Sequence, residues 1–86
     1  MFLLELAFDG NPARLDHRPA HRELVAGLKQ QGKVAMAGPY ADESGALLVF
    51  DVDTEEEFEE LVAADPYYRA PGVTIAAKRK WNLVVS

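Results

Sequence analysis

Two imidazoles, His17 and His21, are all that this chain carries, and both lie in the stretch His17-Arg18-Pro19-Ala20-His21 that leads into Arg22-Glu23-Leu24-Val25-Ala26-Gly27-Leu28. As a helix, this stretch sets His17, His21, Leu24, Val25 and Leu28 on one face, and that face is the apolar one. His21 then points inward, where a histidine is either a packed, hydrogen-bonded core residue or a group poised for proton transfer. A carboxylate suited to the second role lies far along the chain, at Asp65 in the turn-like Asp65-Pro66-Tyr67. With a reference pKa of about 6.5, an imidazole takes and returns protons near neutral pH. A carboxylate on its other ring nitrogen would fix the tautomer and stabilise the charged ring. General acid-base work by His21, with Asp65 orienting it, therefore requires a fold that brings positions 21 and 65 together.

Other chemistries fare worse. There is no cysteine, which removes disulfides, thiolate nucleophiles and thiolate metal sites and suits a reducing cytoplasm. No serine sits in a nucleophile motif, and Ser44 before Gly45 is ordinary turn composition. Tyr67 and Tyr68 could offer phenol hydrogen bonds to a substrate or simply plug a loop against the core. His17, His21 and Asp65 could in principle form a two-histidine, one-carboxylate metal set, but no motif spacing supports it, so neither metal nor cofactor is expected. A formal net charge of -5 opposes nucleic acid over most of the surface. Lys78-Arg79-Lys80 is the one basic run, and on a strand its residues alternate faces. Met1 to Leu6 meets a carboxylate at Glu5 and reads as a strand and not as a signal peptide, and no apolar run approaches the roughly 18–20 residues of a membrane span. Small molecules or other proteins are the expected partners.

The elements that must position these groups follow from periodicity. Phe2, Leu4, Leu6 and Phe8 alternate with Leu3, Glu5 and Ala7, giving a first strand over 2–8 that the turn Asp9-Gly10-Asn11-Pro12 ends. A helix follows and stops at Gly32; Pro19, costly deep in a helix, places its regular start near Arg18. Val34 to Ala37 is a short strand closed by Gly38-Pro39, and Ala46 to Val52 is an apolar, central strand. Thr54-Glu55-Glu56-Glu57 is a capping box for a second helix with Phe58, Leu61 and Val62 inward, and Asp65 caps the short turn after it. A last strand from Val73 to about Val85 sets Val73, Ile75, Ala77, Arg79, Trp81, Leu83 and Val85 on one side. The order β-α-β-β-α-β is that of the ferredoxin-like α+β fold, a four-stranded antiparallel sheet with both helices on one face. All 86 residues form one domain, too short to cover much of its surface alone, so a homodimer joined through the bare sheet face is expected.

With these residues placed, the chain resembles the YCII-related family of small dimeric α+β proteins. The pieces that carry the resemblance are Arg18-Pro19-Ala20-His21, Ala37-Gly38-Pro39, Ser44-Gly45, Ala64-Asp65-Pro66-Tyr67 and Lys80-Trp81-Asn82, in the family's order over essentially the whole chain. The resemblance implies a dimeric α+β barrel and an active site built on a His–Asp pair, which falls on His21 and Asp65. Gly38 and Pro39 match the wall of that site, and Ser44 is a weaker match. The chain departs from the family pattern at Pro71-Gly72 and in the short Tyr40–Glu43 connection, which bear on the shape of the site. Enzymatic proposals for the family resemble proton transfer or elimination on small cyclic compounds, so a lyase or isomerase is the first expectation. A non-catalytic ligand-binding or accessory dimer is the second, and a cofactor-free oxygenase the third.

Overall fold

The structure, a computed structural model, describes all 86 residues. Strand β1 (Phe2–Phe8) is followed by a 3₁₀ segment (Pro12–Asp16), α1 (Arg18–Gln30), β2 (Val34–Pro39), β3 (Gly45–Phe50), α2 (Glu55–Ala64), a second 3₁₀ segment (Pro66–Arg69) and β4 (Val73–Lys80). The sheet order is β2-β3-β1-β4 with every neighbouring pair antiparallel, which is the ferredoxin-like fold that the patterning predicts. No helix is long and apolar enough to cross a membrane.

One face of the sheet carries the core. Phe2, Leu4 and Leu6 of β1 and Leu48 and Phe50 of β3 pack with Leu28 of α1 and with Phe58 and Val62 of α2. Phe58 is the hub: its ring stacks on Phe2 at 5.0 Å between centroids and meets Phe50 edge-on at 5.3 Å. The two inner strands are held close at Gly45, where a Cβ would lie 2.0 Å from the Leu6 carbonyl oxygen, so only glycine fits. Thr54 Oγ1 accepts from the Glu57 N–H at 3.1 Å and starts α2. Glu57 itself does not complete the capping box; it pairs with Lys33 Nζ at 3.2 Å, tying α2 to the turn before β2.

Several boundaries and two facings differ from the sequence reading. The residues before Arg18 form a separate 3₁₀ segment, started by Asn11 Oδ1 accepting from the Ala13 N–H at 2.9 Å, while α1 begins at Arg18 with Pro19 next, where the proline placed its start. His17 is the exposed residue between these two pieces, so it does not share the inward face with His21. Gly38 and Pro39 do not close β2 but continue it; β2 is an edge strand, where a missing N–H does no harm. Strand β4 ends at Lys80, and Ala76 is an extra residue between Ile75, opposite Leu6, and Ala77, opposite Glu5. This bulge reverses the alternation. Val73, Ile75, Lys78 and Lys80 face the helices, while Ala77 and Arg79 pair with Glu5 and Leu3 on the open face, so the seven residues expected on one side do not share it. Lys78 reaches Glu59 Oε2 of α2 at 2.8 Å, so this basic run meets the acidic helix.

Candidate functional site

Asp65 stands where two elements meet. Its backbone is extended because Pro66 follows it, and it both ends α2 and starts the 3₁₀ segment. Its Oδ1 accepts from the Tyr67 N–H at 2.9 Å, the cap of that segment. Its Oδ2 lies 2.5 Å from Nδ1 of His21, in the first turn of α1. The side chains of positions 21 and 65 therefore meet, with 2% of Asp65 exposed. Burial pushes the Asp65 carboxyl upward, but the hydrogen bonds from His21 and the Tyr67 N–H, with the positive charges of His21 and Arg69, outweigh it and leave its pKa below the ordinary value. Asp65 is therefore ionised near neutral pH.

An ionised carboxylate only accepts, so Nδ1 of His21 carries a proton and, in the neutral ring, Nε2 bears the lone pair. Nε2 makes no hydrogen bond within the chain and is not sealed from solvent. The ring is held in place by Tyr67, stacked on it at 4.2 Å and 15° between planes, and by Tyr68, edge-on at 5.5 Å. Burial raises the Tyr68 phenol well above its usual range, and the charge on Asp65 adds to that, so Tyr68 stays neutral.

His21 and Tyr67 open on a cavity of about 550 Å³ between α1 and the β2 edge of the sheet. Gly38 and Pro39 line its far wall with Ala37, and Val25, Ala46 and Leu48 supply apolar floor. Ser44 is not among the lining residues: its N–H donates to Asp42 Oδ1 at 2.9 Å and its carbonyl accepts from the Phe8 N–H, which makes it a turn residue. No group of three or more His, Asp and Glu side chains converges anywhere, and His17 stands apart from the His21–Asp65 pair.

The sequence reading gave no role to Arg14, Arg22, Lys29 or Glu43, and named Arg18 only within a motif, yet all five line the cavity. Arg14 donates to Tyr67 Oη at 3.2 Å and lies over the Phe8 ring at 4.0 Å. Within α1 the signal was present as Arg18, Arg22, Val25 and Lys29 on one helical face, while Arg14 precedes the helix.

Comparison with known proteins gives the chain its family and its fold relatives. The family model described as the YCII-related domain matches residues 1–82. The chain belongs to the YCII-related family. Within reach of it is the uncharacterised protein YjpA of Bacillus subtilis (strain 168), 31% identical over 68 residues that make up 79% of each chain. A solved structure of 5-chloro-2-hydroxyhydroquinone dehydrochlorinase (TftG) from Burkholderia phenoliruptrix AC1100, in complex with 2,5-dihydroxybenzoquinone, superposes with a TM-score of 0.64. That match covers 95% of this chain and 94% of the dehydrochlorinase at 18% identity, which establishes a shared fold for this YCII-related protein.

Proposed function

We propose that this protein is a cofactor-independent enzyme in which His21, oriented by Asp65, moves a proton on a small, cyclic organic substrate in a lyase or isomerase reaction. The observation that carries this reading is the His21 ring itself: its Nδ1 side is committed to an ionised carboxylate and its Nε2 side is free at a cavity. Nε2 takes a proton from a carbon or hydroxyl of the substrate. The released electron pair forms a double bond and either expels a leaving group or is reprotonated elsewhere by the imidazolium. Asp65 stabilises that imidazolium without accepting its proton. Tyr67, whose oxygen already accepts from Arg14, has its O–H free to hydrogen-bond a substrate oxygen, and Gly38 and Pro39 bound the space for a flat ring. The shared fold with a dehydrochlorinase, whose named reaction removes hydrogen and chlorine from a ring compound, supports this reaction class.

The protein so read acts in the cytoplasm, as a chain without cysteine suits, and as a homodimer. Leu3, Leu47 and the 66%-exposed Met36 leave the sheet face away from the helices apolar, and a second copy would cover it.

The test is proton exchange. Wild type, His21→Gln and Asp65→Asn are incubated in D₂O with a panel of hydroxylated benzenes and cyclic keto acids, and loss of substrate C–H signal is followed by NMR. The wild type should exchange or convert at least one compound, and both variants should lose about 10²–10⁴-fold in rate while still binding it. Binding of panel members with no exchange or turnover would replace the enzyme by a ligand-binding protein.

A further inference from the structure

The cavity is cationic in an acidic protein. Four cations, Arg14, Arg18, Arg22 and Lys29, line it against one carboxylate, Glu43, although the whole chain carries -5. Two of these cations gather at the Tyr67 end. Only 11% of the Arg14 side chain is exposed, yet of its five N–H donors one has a hydrogen-bond partner, the Tyr67 hydroxyl. Its remaining nitrogens are not sealed in, so they open on the cavity. A guanidinium this nearly enclosed ordinarily meets a carboxylate at about 2.7–2.9 Å, often through two bonds. Glu43 instead stands 3.8 Å from Arg14 and 3.9 Å from Arg18, and its side chain is 61% exposed. It is carried by the turn between β2 and β3 with its backbone in the left-handed region, at φ 56°, a conformation that strains a non-glycine residue.

We propose that Arg14 and Arg18 form an anion subsite selecting a substrate that bears a carboxylate, and that Glu43 is a loose internal counter-ion which this carboxylate displaces. The proposal rests on the reading of His21 as the proton-moving group and narrows its substrate to small aromatic or cyclic acids. Geometry sets the register: Arg14 holds the hydroxyl of Tyr67, and the ring of Tyr67 lies against His21. An acid gripped by Arg14 and Arg18 thus sits about one phenol ring away from the imidazole. The positive lining also draws anions toward a protein whose overall charge repels them.

The experiment titrates benzoate and its neutral counterpart benzamide into wild type, Glu43→Gln, Arg18→Gln and Arg14→Lys, reading Kd from arginine Nε–H and backbone NMR shifts. Benzoate should bind the wild type at least about tenfold tighter than benzamide, with the shifts centred on Arg14 and Arg18. Glu43→Gln, a change on an exposed turn, should tighten benzoate about two- to fivefold, the worth of a surface ion pair. Arg18→Gln and Arg14→Lys should weaken benzoate and leave benzamide unchanged. Equal binding of the two probes, absence of benzoate binding, or weaker binding in Glu43→Gln would overturn the proposal. Benzoate preference in a protein that exchanges no substrate proton would leave the subsite standing and remove the acid-base reading. Exchange on neutral rings without benzoate preference would do the reverse.

Discussion

Asp65 serves two masters with two oxygens: one caps a turn and the other sets the proton on His21. Asp65→Asn separates these duties. An amide oxygen can still accept from the Tyr67 N–H, but its NH₂ group then faces Nδ1, and the ring must shift its proton to Nε2 to accept from it. His21 in that variant lacks a lone pair at the cavity, so a folded protein with the wrong tautomer is expected. The carboxylate also makes stability depend on pH. Its folded pKa lies below the ordinary value of about 3.9, so the folded state holds this proton less tightly than the unfolded chain. Its stabilisation is complete above about pH 4 and is lost as the pH falls from there through the folded value. Urea midpoints should therefore show the margin of wild type over Asp65→Asn narrowing steadily as the pH falls below about 4. A margin unchanged down to pH 3 would mean that the ionised form contributes nothing to the fold.

At the scale of elements, the site depends on how closely β3 lies on β1. Gly45 opens β3 against the Leu6 carbonyl, and the adjacent Phe8 N–H to Ser44 carbonyl bond of 2.8 Å anchors the turn that carries Glu43. Gly45→Ala places a methyl group where backbone already is, so β3 must move off β1. The expected cost is about 1–3 kcal/mol in urea unfolding, with faster amide exchange at Phe8. An unchanged unfolding curve would show that the strands part there without penalty. The same closeness shows which elements were legible in the sequence. Alternation in 2–8, the Gly32 stop, the threonine cap of α2 and the Asp-Pro break are local signals, and each lies where periodicity and turn chemistry put it. The extra residues Ala35 and Ala76 were not legible, since a bulge leaves composition untouched and changes only which face the next residue takes. The Arg14 position was missed for a related reason. It rides on a 3₁₀ segment between a turn and a proline, where helical spacing gives no face, and only the packing of Phe8 and Tyr67 decides where it points. His21 and Asp65 were legible as types and locations; their contact comes from the second 3₁₀ segment folding against α1.

For the molecule as a whole, 17 of 86 residues are buried, and 13 of them form one cluster on the helix side of the sheet. The other face carries Leu3 and Glu5 of β1 beside Leu47 and the buried Val49 of β3, with Met36 of β2 at its edge. Glu5 there accepts from the Tyr40 hydroxyl at 2.5 Å, and that hydrogen bond, with burial and the charge of Glu5, raises the phenol above its usual pKa. The carboxylate is thus already partnered within one chain, which lowers the desolvation cost of closing a second sheet over it. Sedimentation at micromolar concentration should give twice the 9.5 kDa of one chain, and the melting temperature should rise with concentration because association stabilises the folded state. Leu47→Lys sets a cation directly opposite Glu5, a favourable pair within one sheet, and buries its charge in the interface. This variant should sediment as a single chain with a concentration-independent melting temperature and an intact His21–Asp65 contact, read from the imidazole tautomer. A wild type of one-chain mass would sink the homodimer and leave an open apolar sheet on a monomer. A monomeric variant that still binds benzoate would show that the cavity, lined by α1, β2 and the two 3₁₀ segments, is complete within one chain.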